Sequence, residues 1–597
     1  MFIRTKKRVI AGGIGILAGA AALGLWSVPI VLGQTASGPQ VTTAQLRFEG
    51  RTSIAGTAGG TGQNADAGSL EFGPSLDANT TKPKDTGSVK PARVPADHVP
   101  KPASNAIIAG NAAVGFNGIT HRDQRLADNG NQFSLEPPDQ GLAVGNGFVV
   151  EAVNNAITVY DQAGNRLAGP TALNRFFGFP SEIVRSSPPV FGPFLSDPRV
   201  YFDKDTNTFF ATELEIDTNP ATGAFLTGTA AHTHFVIAVT QDPTGSWTVF
   251  SNDTTNDGGQ FGPCPCFGDQ PLIGADANGF YVATNSFDLG AGNFHGAQLY
   301  AISKQALAAG TATTVVHINQ LTEADASFAF SVEPSSAPPG GAFATENNGT
   351  EYFVSALDFS NSLDNRLVIW ALTNTASLNT ATPALKLSNA VVDTEVYGAP
   401  PSAQQKPGPT PLGDASKSHE ELLASNDDRL EQVVYANGKL WAGLNSVVQP
   451  PNGPVRTGTA WFILAPSSTP GSVSATVVNQ GYVVADQANV LYPSIGVNAA
   501  GKGVIGFTLV GPDFFPSSAF ATLDAVHGAG AIQIAASGAA PDDGFSGYGG
   551  GRVGRWGDYS AAVADESGNI WLATEYIPNS PRTVNANWGT FVTEVTP

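Results

Sequence analysis

The sequence repeats one short pattern several times, and this repeat limits the possible folds more than any other feature. The copy from Trp556 to Thr574 begins Trp-Gly-Asp, continues as a short apolar stretch, turns at Asp-Glu-Ser-Gly-Asn and returns as a second apolar stretch. Alternating, β-branched and aromatic residues suit a pleated strand, and Gly568 suits a positive backbone φ at the turn. Each copy therefore predicts a β-hairpin.

Six further copies precede this one and begin at Pro137, Ser196, Gly268, near Glu333, and at Asp428 and Leu491. In four copies an acidic residue and a turn residue lie ten positions apart: Asp197 and Asn207, Asp269 and Gly279, Asp428 and Gly438, Asp558 and Gly568. Most copies add another apolar strand after a variable loop. Repeats of roughly 60 to 95 residues, each a small meander, predict an all-β β-propeller. We expect seven blades, with six or eight as alternatives; a β-sandwich array or two β domains is the structural alternative.

The chain before the repeats is predicted to have three parts. Residues 1–33 combine a basic head with an apolar run, which indicates an export signal or an uncleaved N-terminal membrane anchor. Residues 34–104 resemble a Pro/Gly/Thr-rich tether, in which Val41 to Phe48 is a possible strand for an open sheet edge. Residues 105–135 lead into the propeller at 136–597. Because the last repeat shows at most three strands, we expect a segment before Glu136 to supply its outer strand.

Charge and cysteine content point to an exported protein with few classes of partner. The chain has 30 basic and 50 acidic side chains, and four of the basic ones lie in the first 33 residues. Such an acidic chain should repel nucleic acid and anionic lipid, so we expect neither as a partner, apart from the possible anchor. An exported protein would be extracellular or periplasmic. There Cys264 and Cys266 are expected to form a disulfide, with two free thiols or a redox role as alternatives.

Several phrases resemble a known group of proteins: EPPDQGLAVGNGFVVEAVN, LSDPRVYFD, VTQDPTGSW, FGDQPLIGADANGFYVATN and RWGDYSAAVAD. The group consists of uncharacterised secreted bacterial β-propeller proteins and, more loosely, the sialidase-like propeller superfamily. The resemblance extends from about Gly115 to Pro597. The resemblance implies a β-propeller architecture and does not indicate an activity.

If each repeat opens an innermost strand, its first acidic residue lies at one mouth of a central channel. The predicted cluster comprises Asp139, Asp197, Arg199, Asp269, Glu333, Asp428, Arg429 and Asp558. Crowded carboxylates repel one another unless a cation, an Arg or a backbone N–H compensates them. Three hypotheses follow: the acids accept N–H bonds that fix the strand starts, they form a catalytic pair, or they bind a cation. Hard oxygen ligands suit Ca²⁺, with Asp197, Asp269 and Asp558 as candidate ligands.

Other motifs have simpler interpretations. Asp203, Asp205 and Asn207 have the spacing of a calcium loop, but the expected Gly and Glu are missing, which favours a polar hairpin turn. His232 and His234 lack an obvious third ligand, so a polar surface pair is favoured over a metal site. The Trp residues at 247, 441, 461, 556 and 588 are expected to pack between blades rather than stack on sugars.

The sialidase resemblance can be compared residue by residue. Sialidases hold a carboxylate with three Arg and use a Tyr and Glu pair; the nearest match here is Arg199, Arg429 and Arg555 with Tyr492 or Tyr559. The repeated Ser-x-Asp-x-Gly-x-x-Trp turn is absent from this sequence. A shared fold does not confer a shared site, so the sequence argues against sialidase activity.

Two functions remain after this comparison. The first is an exported binding or scaffold propeller for an unknown ligand, such as a polysaccharide or a cell-surface protein. The alternative is a carbohydrate-active enzyme, a glycoside hydrolase or polysaccharide lyase, that uses the channel-mouth carboxylates as acid and base. The sequence leaves open whether the protein is an enzyme.

Overall fold

A computed structural model describes residues 40–54, 94–108, 114–259, 262–319, 321–323, 327–357, 363–417, 421–548 and 552–597. The predicted export signal or anchor, residues 1–33, and the middle of the predicted tether, residues 55–93, lie outside this part of the chain. Within the described residues, no helix is both long and apolar enough to cross a membrane.

Strands dominate the described residues. Four precede the repeats: β1 (Val41–Gln45), β2 (Arg47–Ser53), β3 (Ile107–Ile108) and β4 (Val114–Thr120). The first meander contains β5 (Gly141–Gly145), β6 (Phe148–Val153), β7 (Ala156–Asp161) and β8 (Arg166–Ala172). A two-stranded ribbon follows, β9 (Ile183–Val184) and β10 (Val190–Phe191). The second meander contains β11 (Phe194–Asp203), β12 (Thr208–Ile216), β13 (Thr233–Thr240) and β14 (Ser246–Asp253).

The third meander contains β15 (Cys266–Ala275), β16 (Gly279–Asp288), β17 (Phe294–Ser303) and β18 (Thr314–Ile318). The fourth contains β19 (Glu333–Ser336), β20 (Thr350–Ala356), β21 (Asp364–Thr373) and β22 (Lys386–Tyr397). After β23 (Leu422–Leu423), the fifth contains β24 (Leu430–Ala436), β25 (Lys439–Val448), β26 (Arg456–Thr469) and β27 (Ser472–Val483). The sixth contains β28 (Asn489–Val497), β29 (Lys502–Gly511), β30 (Phe514–Asp524) and β31 (Gly528–Ala536). The seventh, after β32 (Val553–Gly554), contains β33 (Ala561–Ala564), β34 (Ile570–Tyr576) and β35 (Gly589–Val595).

The helices are short and connect strands. They are α1 (His121–Leu126), α2 (Leu173–Phe176), α3 (Lys304–Ala308) and α4 (Pro411–Ser416), with 3₁₀ turns at Ala127–Gly130, Gly228–Ala230, Glu346–Asn348, Thr375–Asn379 and Phe545–Tyr548. Helix α1 begins at a capping box, in which the Thr120 hydroxyl accepts the Asp123 N–H and the Asp123 carboxylate accepts the Thr120 N–H.

The four early strands complete the edges of later meanders. Strand β4 pairs antiparallel with β35, so a segment before Glu136 supplies the missing outer strand of the seventh meander, as expected. Strands β1 and β2 pair with β18 and β14, and β3 pairs parallel with β31. The possible strand at Val41 to Phe48 is therefore confirmed as two edge strands. Each protects an edge that would otherwise expose unpaired backbone groups.

The meanders follow one another in a closed circle. The first strand of each meander contacts the first strand of the next, and β33 of the seventh contacts β5 of the first. Hydrophobic clusters join successive meanders in the same order, and one cluster packs Trp571 and Val592 of the seventh against Val144 and Tyr160 of the first. This circular order is that of a β-propeller.

Turn chemistry explains where the hairpins lie. Asn146–Gly147 and Asn437–Gly438 each join two strands by a two-residue turn in which both residues have positive φ. Asn-Gly is favoured in such turns because their twist matches that of the flanking strands. Gly568 has a φ of 88°, as its position in the repeat predicted.

Other sequence interpretations are resolved by the packing. The five Trp residues expected between blades are all buried, so they are not available to stack on sugars. Asp203 lies in the β11–β12 turn and accepts a hydrogen bond from Lys304 Nζ at 2.8 Å, which agrees with a polar turn. His234 contacts the Glu215 carboxylate at 2.6 Å, while His232 is exposed. Cys264 and Cys266 form the expected disulfide.

Candidate functional site

Seven residues with left-handed backbone conformation lie in or shortly before the first strands of the meanders. Each first strand has one of them, with φ between 45° and 63°. Asp197, Gln270 and Tyr492 lie inside their strands at a bulge, and Asp139, Ser331, Asn426 and Asp558 lie two to four residues before theirs. Non-glycine residues seldom adopt this conformation, and it costs about 1 kcal/mol or more. Its recurrence in every meander defines a channel mouth formed by these seven positions.

Bonds between neighbouring meanders hold several of these strained residues. A buried Asn on or directly after the second strand of one meander accepts a backbone N–H of the next: Asn154 from Asp197 (2.9 Å), Asn285 from Ser331 (2.9 Å) and Asn445 from Tyr492 (2.8 Å). The amide of Asn154 also donates to Asp139 Oδ2 at 2.6 Å. The channel mouth therefore couples adjacent meanders through amide side chains.

The structure brings together only part of the predicted acidic ring. Asp139, Asp197 and Asp558 occupy the left-handed positions, whereas Gln270, Ser331 and Asn426 stand where Asp269, Glu333 and Asp428 were predicted. Asp428 is buried beside Tyr397, and its charge contributes, after burial and Asp364, to raising the pKa of that phenol. Asp269 is half-buried and pairs with Asn285 in the β15–β16 register.

The structure does not assemble the predicted calcium ligands. Among the described residues, Asp197, Asp269 and Asp558 are not a group whose carboxylate oxygens lie within 4.8 Å of one another. Asp558 instead forms an ion pair with Arg555, and Asp197 lies two residues from Arg199, beside the same Tyr559 ring. Arginine thus supplies the positive charge that the calcium hypothesis assigned to a cation.

Arg199 is a buried charged side chain near the channel mouth. Its guanidinium carbon lies 3.6 Å from the centroid of the Tyr559 ring, and the residue is 8% exposed. Within the described part of the chain, its Nε and Nη2 groups have no hydrogen-bond partner. Leaving buried donors unpaired costs about 1–3 kcal/mol for each group. An anion beside the Arg199 guanidinium would therefore satisfy its unpaired Nε and Nη2 donors.

The other two Arg of the sialidase comparison are already engaged. Arg429 donates from Nε and Nη2 to both oxygens of Asp427, at 2.8 and 2.7 Å, and from Nη1 to Gln270 at 2.7 Å. Arg555 donates to Asp558. Because both guanidinium groups serve internal acids, the mouth does not present the three-Arg clamp of a sialidase.

Two buried Glu lie beside these arginines. Burial raises the pKa of Glu333 to about 8, although the charge of Arg199 opposes this shift. Burial also raises the pKa of Glu431 well above its usual value, against the opposing charges of Arg429 and Arg199. Among the described residues, one oxygen of each carboxyl group has no hydrogen-bond partner. Glu333 is therefore neutral near pH 7 and can donate a proton.

Sequence reasoning missed Glu431 and also Glu213. Glu213 is fully buried on β12, and burial together with Asp197 and Glu182 raises its pKa. Its two carboxyl oxygens lack a hydrogen-bond partner within the described residues. The available signal was an acidic residue inside an otherwise apolar strand, since such a residue is seldom buried without a role.

A second group of buried acids lies under the loop before the seventh meander. Burial and Asp542 raise the pKa of Glu421 to about 11, and burial raises that of Asp542 to about 6. Arg582 donates to Asp543 Oδ2 at 2.5 Å. A Cβ at Gly547 would lie 1.5 Å from Glu421 Oε2, so the Gly-rich loop is needed for this close approach.

No family model and no curated protein matches the chain. Solved structures with a similar fold include the endosialidase of phage phi92, which is 10% identical, with 67% of this chain and 66% of that chain covered and a TM-score of 0.30. A Trypanosoma rangeli sialidase is 10% identical over 81% of this chain and 57% of its own, with a TM-score of 0.30. The intramolecular trans-sialidase of Ruminococcus gnavus is 9% identical over 65% and 92%, with a TM-score of 0.34.

Sialidases are thus among the structural neighbours. The chain covers less than two thirds of the endosialidase and of the T. rangeli enzyme. At these identities and TM-scores the similarity carries no argument about activity, which must come from the site itself.

Proposed function

We propose that this protein is an exported seven-bladed β-propeller that binds an acidic carbohydrate at its channel mouth, each meander being one blade. The observation that carries the proposal is Arg199, whose buried Nε and Nη2 groups lack a hydrogen-bond partner among the described residues. These two N–H groups form the edge of the guanidinium that matches both oxygens of a carboxylate. A ligand carboxylate admitted to the mouth satisfies both donors at once.

The neighbouring groups favour a sugar acid over a simple anion. Glu333 and Glu431 each have a carboxyl oxygen without a hydrogen-bond partner in the described chain. Glu333 is protonated at neutral pH, and burial raises the pKa of Glu431. Such groups donate to and accept from hydroxyl groups. A sugar acid presents one carboxylate and several hydroxyls, so it satisfies Arg199 and the carboxyl groups together. The partially exposed Arg555 and Asp558 form the open side of the mouth.

The test compares acidic glycans with their neutral counterparts by isothermal titration calorimetry. A panel of uronic-acid and sialic-acid glycans is titrated into the wild-type protein and into Arg199→Gln, with Arg47→Gln on exposed strand β2 as the control. Loss of a charge-assisted hydrogen bond should weaken acidic-glycan binding about tenfold or more. Equal affinity for acidic and neutral glycans, or unchanged affinity in a folded Arg199→Gln protein, refutes the proposal.

Hydrolysis of the bound glycan is a second candidate function, favoured by one observation. The pKa of Glu333, raised to about 8, keeps its carboxyl group protonated at neutral pH, as a general acid requires. Glycan release by the wild-type protein, lost in Glu333→Gln while binding remains, supports an enzyme. Binding without product supports the binding module.

A further inference from the structure

The disulfide of the third meander lies against a buried histidine that neither function explains. Cys266 begins β15, and His295 is the second residue of β17, which the sheet register places nearby. His295 Nδ1 lies 3.3 Å from Cys266 Sγ. In the described part of the chain, the ligand atoms of Cys264, Cys266 and His295 form the one group of three within 4.8 Å.

A carboxylate lies near the second nitrogen of the His295 imidazole. Its Nε2 lies 3.8 Å from Asp288 Oδ2, on the side of the ring away from the sulfur. A ligating histidine commonly has a carboxylate at its second nitrogen, which fixes the orientation of the ring. A Cβ at Gly258 would lie 2.7 Å from the His295 Cβ, so the chain packs closely around this side chain.

The disulfide itself contributes little to the fold. Cys264 and Cys266 are separated by one residue. In the chain-entropy account, a bridge that closes so short a loop removes little freedom from the unfolded chain. Cys264 is half-buried, so one sulfur is within reach of an external thiol. The pair is therefore available for a role other than stability.

We propose that reduction of the Cys264–Cys266 disulfide creates a binding site for Cu(I) formed by the two thiolates and His295 Nδ1. An external dithiol supplies the two electrons and two protons, becomes a disulfide itself and leaves two thiols on the protein. Cu(I) then binds both sulfurs and the imidazole, and the two thiol protons are released to solvent. Oxidation of the pair to the disulfide removes two of the three ligands, so the site binds metal only when reduced.

The ligand set selects the metal. Thiolates are soft ligands that favour Cu(I) and zinc over calcium or magnesium. Structural zinc sites use four protein ligands in a tetrahedron, whereas the group here, among the described residues, has three. Zinc held by three protein ligands takes a water as its fourth ligand, whereas Cu(I) needs only two or three soft donors. Because Cys266 and His295 are buried, the site favours Cu(I).

The test uses the full chain in both redox states. Protein reduced with dithiothreitol under nitrogen and then desalted is titrated with Cu(I) in competition with bicinchoninate, beside the untreated disulfide form. One Cu(I) per reduced chain, thiolate-to-copper absorption in the ultraviolet, and no such binding by the disulfide form are expected. Failure of the reduced wild-type protein to bind Cu(I), or equal binding in both states, overturns the proposal without any mutation.

Variants then assign the ligands. Cys264→Ser should abolish binding, and His295→Asn should weaken it about tenfold or more, as the loss of ligand-shell groups does at other metal sites. His317→Asn is the matched control because His317 is also buried in the third meander, stacked on Tyr300. Equal Cu(I) affinities of His295→Asn and His317→Asn would show that His295 is not a ligand. Tighter binding of zinc than of Cu(I) refutes the choice of Cu(I).

Discussion

Glu333 allows a direct test of the electrostatics of the channel mouth through the substitution Glu333→Gln. The carboxyl group is 3% exposed, and burial raises its pKa from 4.5 to about 8. Because the folded-state pKa lies above the unfolded value, the folded protein binds this proton more tightly. The stability that Glu333 contributes is therefore complete below about pH 4.5 and is lost as the pH rises through about 8.

The size of this effect follows from the shift in pKa. One pKa unit corresponds to 1.36 kcal/mol, so raising the pKa from 4.5 to about 8 is worth at most about 5 kcal/mol. Glutamine has nearly the shape of the protonated acid and cannot ionise. We expect Glu333→Gln and the wild-type protein to have similar stability at pH 5, and the variant to be more stable at pH 9 by several kcal/mol, up to about 5.

The measurement is urea unfolding followed by the fluorescence of the buried Trp residues, repeated from pH 5 to pH 9. The difference in unfolding free energy between variant and wild type isolates Glu333 from the other titrating groups. Glu395→Gln, at an exposed position of β22, is the control and should show no such pH dependence. Parallel stability profiles for Glu333→Gln and the wild type would show that Glu333 is ionised in the folded protein, and would refute the reasoning.

Two further predictions concern the fold. Asp203→Asn should cost about 3–5 kcal/mol in urea unfolding, since it leaves Lys304, which is 1% exposed and 2.8 Å from Asp203, as an uncompensated buried charge. The exposed neighbour Asp205→Asn should change stability by less than about 0.5 kcal/mol. A chain beginning at His121 lacks β1 to β4 and should melt well below a chain beginning at Gln40, which keeps all four edge strands. Equal melting temperatures of the two truncated chains would contradict ring closure by β4.

The sequence predicted the meanders well because their signals are local. A strand needs alternating apolar residues and a turn needs Gly or Asn, and both are visible within about ten residues. The repeat at Asp558 and Gly568 therefore located its hairpin correctly. The edge strand β4 was expected only as an unspecified segment, because pairing between residues about 470 apart, such as Phe116 and Val592, leaves no local pattern.

The channel mouth was predicted less well, for a physical reason. The shared property of the seven positions is a left-handed backbone, and sequence reasoning looked instead for a shared carboxylate. Gln270 and Tyr492 adopt this conformation at a bulge in the strand, and Asn445 of the preceding meander also holds Tyr492. Because Asp269 is the first acidic residue of its repeat, it was selected in place of its neighbour Gln270.

The groups formed by Cys266 with His295 and by Glu421 with Asp542 were not predicted, for a related reason. His295 follows Cys266 by 29 positions and reaches it only through the pairing of β15 with β16 and β16 with β17. Glu421 and Asp542 come from separate loops of different meanders. Each of these side chains has an ordinary local sequence, and only the tertiary fold brings it close to its partner.

The proton on Glu333 also determines how the proposed ligand binds at different pH. Below about pH 8 the carboxyl group is neutral, so the charge of Arg199 is available to a ligand carboxylate. Above that pH, Glu333 becomes an anion that both repels the ligand and pairs with Arg199. The affinity of the wild-type protein for an acidic glycan should therefore fall as the pH rises from 7 to 9, while that of Glu333→Gln stays constant. Calorimetry at both pH values decides the matter, because a pH-independent wild-type affinity would mean that the carboxyl group of Glu333 does not face the bound anion.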